Sequence, residues 1–303
     1  MRFDSRSFRW LLPVLLTLST SAQMAAQGIN WPPTGGTAEL IKQAASGDPK
    51  AQNKLGDAYH NGQGVAKDDG EAVGWYRKAA EQGLANAQSN LCNAYLFGEG
   101  VSKDEAEAVR WCRKAAEQES ATAQSLLGFM YANGLGVAKK DDAEAVRWMR
   151  KAADQGLAQA QYTIGYLYAH GQGIAKDEAE AIRWYRKAAE QGFAQAQGAL
   201  GWSYNYGSGI AKDEAEAIRW YRKAAEQGEG QAQYNLGAAY HNGQGVLKDE
   251  AEAYFWMSLG ASSLGGDNWP ELDKVAQNLT PEKRLEIENR CRQWVGEHTQ
   301  NPE

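Results

Sequence analysis

The sequence is short of most side chains that carry chemistry. Its 303 residues include three cysteines, four histidines and seven prolines. Three cysteines are too few for a disulfide framework. The histidines (His60, His170, His241 and His298) contain no pair at metal-ligand spacing, so no metal is expected. No apolar run reaches the ~18 residues of a membrane-spanning helix, so no integral membrane segment is expected. Net charge is −6, and no basic patch offers itself to nucleic acid. Phosphate-binding glycine motifs, a G-x-S-x-G elbow and an S-x-x-K motif are all missing. Nothing calls for a cofactor, and no residue is expected to be catalytic.

Glycine is what the chain has in quantity, with 33 residues, and they recur by rule. Trp75, Trp111, Trp148, Trp184, Trp220 and Trp256 follow one another at intervals of 36, 37, 36, 36 and 36 residues. Tyr59, Tyr95, Tyr131, Tyr168, Tyr204 and Tyr240 keep step, as do Ala-Gln pairs beginning at Ala51, Ala87, Ala123, Ala160, Ala196 and Ala232. Six units in register mean a repeat architecture.

Each unit reads as two helices. The first runs roughly ten residues from Ala51, with Ala51, Leu55 and Tyr59 on one face, and Gly62 and Gly64 break it. The second starts at Asp68, with Glu71 at capping-box spacing, and the pair recurs as far as Asp249 and Glu252. The one extra residue falls in the loop of Lys139 and Lys140, where an insertion costs least. Gly83 supplies a left-handed end to the second helix. Gly56 and Ala72 are small enough for close approach, and Trp75 and Tyr59 fill the space between units. Such units bury their faces only by stacking. The expected fold is all-α: a right-handed α/α solenoid over 38–257, made of a partial unit and six whole ones.

The segments L-G-x-x-Y, G-x-G-V, E-A-x-x-W-Y and K-A-A-E-Q-G resemble the Sel-one-like repeat family, a relative of the tetratricopeptide repeats. The resemblance covers Ala51 to about Met257. It implies an α/α solenoid that holds protein partners, often in bacterial envelopes or secretion, and it implies no chemistry. The second unit departs from the pattern at Cys92 for Gly, Cys112 for Tyr and Glu119 for the capping Gly.

The ends read differently. Arg2, Arg6 and Arg9 precede an apolar core, Trp10 to Leu18, and small residues with Thr20 and Ala22 at cleavage positions. Residues 1–22 are therefore expected to be an export signal and 23–37 a flexible leader, which places the protein in the periplasm or outside the cell. Residues 258–303 read as a linker and a capping helix. Thr280 caps that helix, Pro281 opens it, and Leu285, Ile287, Cys291, Trp294 and Val295 form its apolar side.

Two expectations concern sites. Counting from the Ala of each Ala-Gln pair, positions 1, 5, 6 and 9 of the first helix face the core, and positions 3, 7 and 10 point the other way. There the early units carry residues such as Asn53, Asp57 and Ser89, and the later ones carry Phe129, Tyr162, Tyr166, Trp202 and Tyr234. Such a row of rings on a concave face is what a protein or peptide groove uses. The second expectation is a Cys92–Cys112 disulfide. Both departures fall in one unit, at facing positions, in a chain bound for an oxidising compartment. The expected function is a non-catalytic interaction scaffold, working as a monomer. A cell-wall-acting or β-lactamase-like hydrolase with an unrecognised site, and a secreted effector that binds a host protein, stand as alternatives.

Overall fold

The computed structural model describes residues 36–265 and 269–299; the expected export signal and most of the expected leader lie outside them. Among the described residues there are fifteen helices and no strand. They are α1 (Gly36–Ala45), α2 (Pro49–Asn61), α3 (Asp69–Glu81), α4 (Ala85–Phe97), α5 (Glu105–Glu117), α6 (Ala121–Asn133), α7 (Asp142–Asp154), α8 (Ala158–His170), α9 (Glu178–Glu190), α10 (Ala194–Tyr206), α11 (Glu214–Glu226), α12 (Gly230–Asn242), α13 (Glu250–Leu264), α14 (Pro270–Gln277) and α15 (Pro281–Thr299). Two units, divided after Gln155, hold α1–α7 and α8–α15. Within each, successive helices pack on one another as far as α14, while α15 packs back on α13, which makes an α/α solenoid of repeats of about 36 residues.

One acid organises each repeat. The carboxylates of Asp68, Asp104, Asp141, Asp177, Asp213 and Asp249 accept the backbone N–H three residues on, at 2.9–3.0 Å, and so start the second helix. The reciprocal half of the expected capping box is replaced. The N–H of each Asp donates instead to the carbonyl of the repeat's Tyr, from Asp68 on Tyr59 to Asp249 on Tyr240. In the second to fifth repeats the released glutamates pair with arginines one turn on, as in Glu144–Arg147 at 2.8 Å and Glu180–Arg183 at 3.0 Å. First helices are also longer than the ten residues expected. The span of α2 is thirteen, because Asp48 caps it and Pro49 supplies its first turn. Helix α1 begins at Gly36, inside the expected leader, with Thr37 buried.

Inside a repeat, glycine lets the two helices touch. A methyl on Gly56 would lie 2.5 Å from the Tyr76 ring. The second repeat replaces this Gly–Tyr contact by a disulfide between Cys92 and Cys112, both fully buried, with Cα atoms 5.2 Å apart. Between repeats, glutamine does the joining. Gln52, Gln88, Gln124, Gln197 and Gln233 each donate a side-chain N–H to a carbonyl at the end of the preceding helix, at 3.1–3.2 Å. Each of these carbonyls also accepts the backbone N–H three residues on, as Ala80 does from Gly83 at 3.0 Å, so the glutamine fills its second lone pair. A second glutamine donates to the first, as in Gln82 to Gln52 and Gln118 to Gln88, both 2.8 Å. The sequence pattern marked these glutamines as recurrent without revealing this ladder.

Glu119 is the one non-glycine residue with positive φ among the described residues, at 64°. A left-handed L residue costs about 1–2 kcal/mol, against roughly 0.5–1 kcal/mol for the extra freedom glycine brings to the unfolded chain. Glu119→Gly is therefore expected to raise stability by about 0.5–1 kcal/mol. Urea melts of the two proteins check it, and a destabilised variant would contradict this account of the second repeat.

The C-terminal helix departs from its expected pattern. Ile287 is buried and Cys291 and Trp294 are half-buried, whereas Leu285 and Val295 are 56% and 41% exposed. Helix α15 packs on α13 along the line Ile287–Cys291–Trp294, spaced i, i+4, i+7, which leaves Leu285 and Val295 to its sides. Thr280 caps it, accepting the N–H of Lys283 at 3.2 Å. Cys291 faces the Phe255 carbonyl, and burial pushes its thiol up to about 11.

Candidate functional site

The second helices spend their charge on caps and ion pairs. The first helices α4, α6, α8, α10 and α12 hold no Asp, Glu, Lys or Arg at all. Their side chains are apolar, amide, hydroxyl or aromatic, with His170 and His241 as the exceptions. Function at this face has to come from shape, stacking and neutral hydrogen bonds.

In the N-terminal unit the face is closed. Asn53, Asp57, Ser89, Leu96, Ser125, Phe129 and Ala132 are buried, although their positions were expected to point outward. Phe129 is 4% exposed and belongs to the unit's core cluster, so it is withdrawn as a ligand contact. Here α4 and α6 touch directly, so a first helix meets neighbours on more of its circumference than its own partner helix accounts for.

Asp57, 3% exposed, sits in a polar cluster between the first and second repeats. Its carboxylate accepts from the Tyr76 hydroxyl at 2.9 Å, Asn53 at 3.1 Å and Asn90 at 3.2 Å. Burial pushes its carboxyl up from 3.8 to about 6, opposed by the Tyr76 bond, the His60 charge and the Asn90 bond. The folded state thus holds this proton more tightly than the unfolded chain. The stability this provides is complete below about pH 4 and is lost as the pH rises through about 6. The second repeat carries Asn93 at the same position. Asp57→Asn is therefore expected to gain about 2 kcal/mol at pH 8, the full rise being worth about 3 less the weaker hydrogen bonds of an amide. Melts at pH 4 and pH 8 check it; an equal effect at both would show that ionisation is not the cause.

The C-terminal unit is more open. Tyr162 wedges between Tyr185 (ring centroids 5.7 Å apart) and Phe193 (5.6 Å), and burial raises its hydroxyl well above the ordinary tyrosine range. Tyr166 stacks on His170 at 3.9 Å and is half-buried. Tyr234 lies against Trp269, which precedes α14, at 4.9 Å, so the C-terminal segment covers it. Trp202 is 45% exposed and lies 5.0 Å from Tyr206, itself 65% exposed.

Of the five rings proposed from sequence, then, Trp202 is exposed, Tyr162, Tyr166 and Tyr234 are half-buried and Phe129 is in the core, and Tyr206 joins Trp202 in water. The signal for Tyr206 lies in the repeat: three repeats have Asn at its place, and Asn61, Asn133 and Asn242 each donate to the carbonyl one turn back. Tyr206 departs from that pattern. The buried acids offer no free group. Asp57 is held as described, and Glu229, whose carboxyl is raised by burial, caps α12 through the N–H groups of Gln231 and Ala232. Among the described residues no three His, Cys, Asp or Glu side chains are placed to hold a metal ion, and no helix is long and apolar enough to cross a membrane.

The family model described as Sel1 repeat matches six segments of the chain: 49–84, 85–120, 121–157, 158–193, 194–229 and 230–263. Among solved structures the chain is similar to a Sel1 repeat protein from Oxalobacter formigenes, at 35% identity over 84% of this chain and 99% of that one, with a TM-score of 0.69. It is also similar to a protective antigen with an SLR fold from uropathogenic Escherichia coli strains (26% identity, 94% and 84% coverage, TM-score 0.47). A third is cysteine rich protein B of Helicobacter pylori (28% identity, 44% and 96% coverage, TM-score 0.37). No curated protein matches the chain.

Proposed function

The chain belongs to the Sel1 repeat family, whose arrays generally serve as protein-interaction scaffolds, and from that premise we propose that it is a non-catalytic scaffold working outside the cytoplasm, with its partner held on the first helices of the fourth and fifth repeats. The observation that carries this reading is the exposed Trp202, next to Tyr206, on a helix without formal charge. A large ring left in water is an anchor in search of a pocket. The hydrolase alternative has less support: among the described residues the buried acids Asp57 and Glu229 are held by hydrogen bonds, and burial raises the Cys291 thiol. Export is supported by the charged and apolar pattern of residues 1–22 and by the disulfide, which an oxidising compartment preserves.

Affinity capture from a bacterial envelope fraction tests the surface. The native chain is expected to retain a specific protein, and the Tyr166→Ala, Trp202→Ala double variant to lose it with its helical circular dichroism unchanged. Equal retention by both would end this assignment of the surface. The mass of the mature chain tests export, with Gln23 expected as its first residue.

A further inference from the structure

We propose that the aromatic face of α8 and α10 takes an uncharged, proline-rich segment of its partner in the polyproline II conformation; this deepens the scaffold reading and rests on it. Four rings form two pairs at equivalent places in successive repeats. Tyr166 and His170 stand on α8, 3.9 Å apart, and Trp202 and Tyr206 stand on α10, 5.0 Å apart. The two helices are linked at one end, where Tyr162 of α8 packs on Phe193, the residue that precedes α10, at 5.6 Å. Among the described residues the other large exposed apolar side chains are aliphatic: Ile41, Leu247, Leu264, Leu285 and Val295.

Charge selects the class of segment. Neither α8 nor α10 holds an Asp, Glu, Lys or Arg, so an acidic, basic or phosphorylated segment would leave its own charge unpaired on docking. A neutral segment avoids that cost. Hydrogen bonding selects the conformation. A polyproline II strand makes no internal hydrogen bonds, so its carbonyls are free, and its prolines bring no N–H that needs an acceptor. The face presents matching donors, the Trp202 indole N–H and the Tyr206 hydroxyl. Aromatic-lined surfaces read proline-rich strands in this way because the strand is already extended and has little entropy left to lose.

Isothermal titration calorimetry on the full chain tests this with three probes: a proline decamer, a glutamate decamer and a chitin hexamer. The proline decamer is expected to bind and the glutamate decamer not to. Trp202→Ala with Tyr206→Ala is expected to weaken proline binding at least tenfold, while Leu247→Ala, at an exposed aliphatic position, leaves it unchanged. Because Trp202 and Tyr206 are exposed, an unaltered thermal melt shows that the double variant is folded. Absence of proline binding, equal binding by the double variant, or Trp202-dependent binding of the chitin hexamer instead would each overturn the proposal. If proline binding fails while envelope capture still depends on Trp202, this inference falls and the scaffold reading stands. If both fail, the scaffold assignment of this surface falls with it.

Discussion

Trp148→Ala is expected to lower the stability of the N-terminal unit by about 3–5 kcal/mol, the range for truncating a large buried aromatic side chain. Trp148 is 7% exposed and shares one core cluster with Trp111, Leu126 and Met130. That cluster draws on helices of the first three repeats, so the ring is part of what joins them. The Lys151 ammonium lies 4.6 Å from the ring centre and the Arg147 guanidinium 5.0 Å, and both lose that contact in the variant. Alanine cannot fill the space, and the surrounding helices are fixed by their own glutamine and aspartate bonds, so the cavity closes poorly. Trp75, at the start of the array, is only half-buried although Lys78 covers it at 3.8 Å. Trp75→Ala should therefore cost about half as much. Trp256 is buried in one cluster with Ile287 of the closing helix, so its loss should be comparable to that of Trp148. Urea unfolding followed by far-ultraviolet circular dichroism gives all three values. Equal costs for Trp75 and Trp148 would contradict a fold held by its inner interfaces.

Removal of the disulfide is the second large effect. Cys92→Ala with Cys112→Ala is expected to cost about 3 kcal/mol, the chain-entropy value for a loop of this size. The separation is 20 residues, and both sulfurs are buried between α4 and α5. Every other repeat places glycine opposite a ring or methionine here, for example Gly165 against Tyr185 and Gly237 against Met257. Cys92→Gly with Cys112→Tyr should therefore recover part of the loss, because the tyrosine refills the volume that two alanines leave empty. Alkylation of the unreduced, unfolded protein should label Cys291 alone. Labelling at Cys92 and Cys112 in protein taken from the envelope would remove this prediction and weaken the case for export.

The repeat, the two helices in each unit and the aspartate caps were legible in the sequence because they depend on residues close together in the chain. A 3.6-residue period, an acid before a helix and a glycine after it act within one or two turns. The register also placed Cys92 and Cys112 on facing helices of one unit. What the sequence left undecided is which side of a first helix meets water. Phe129 and Trp202 occupy the same position in their repeats, yet one is in the core and the other is exposed. Asp57 and Tyr166 share it too, one in a closed polar cluster and the other stacked on His170. Tyr234 is covered by Trp269 from beyond the repeats. Helical angle assigns these side chains one direction. Whether something stands in that direction depends on the bulk of residues a whole repeat away, and on a C-terminal segment without the repeat's pattern, so packing in three dimensions decided it.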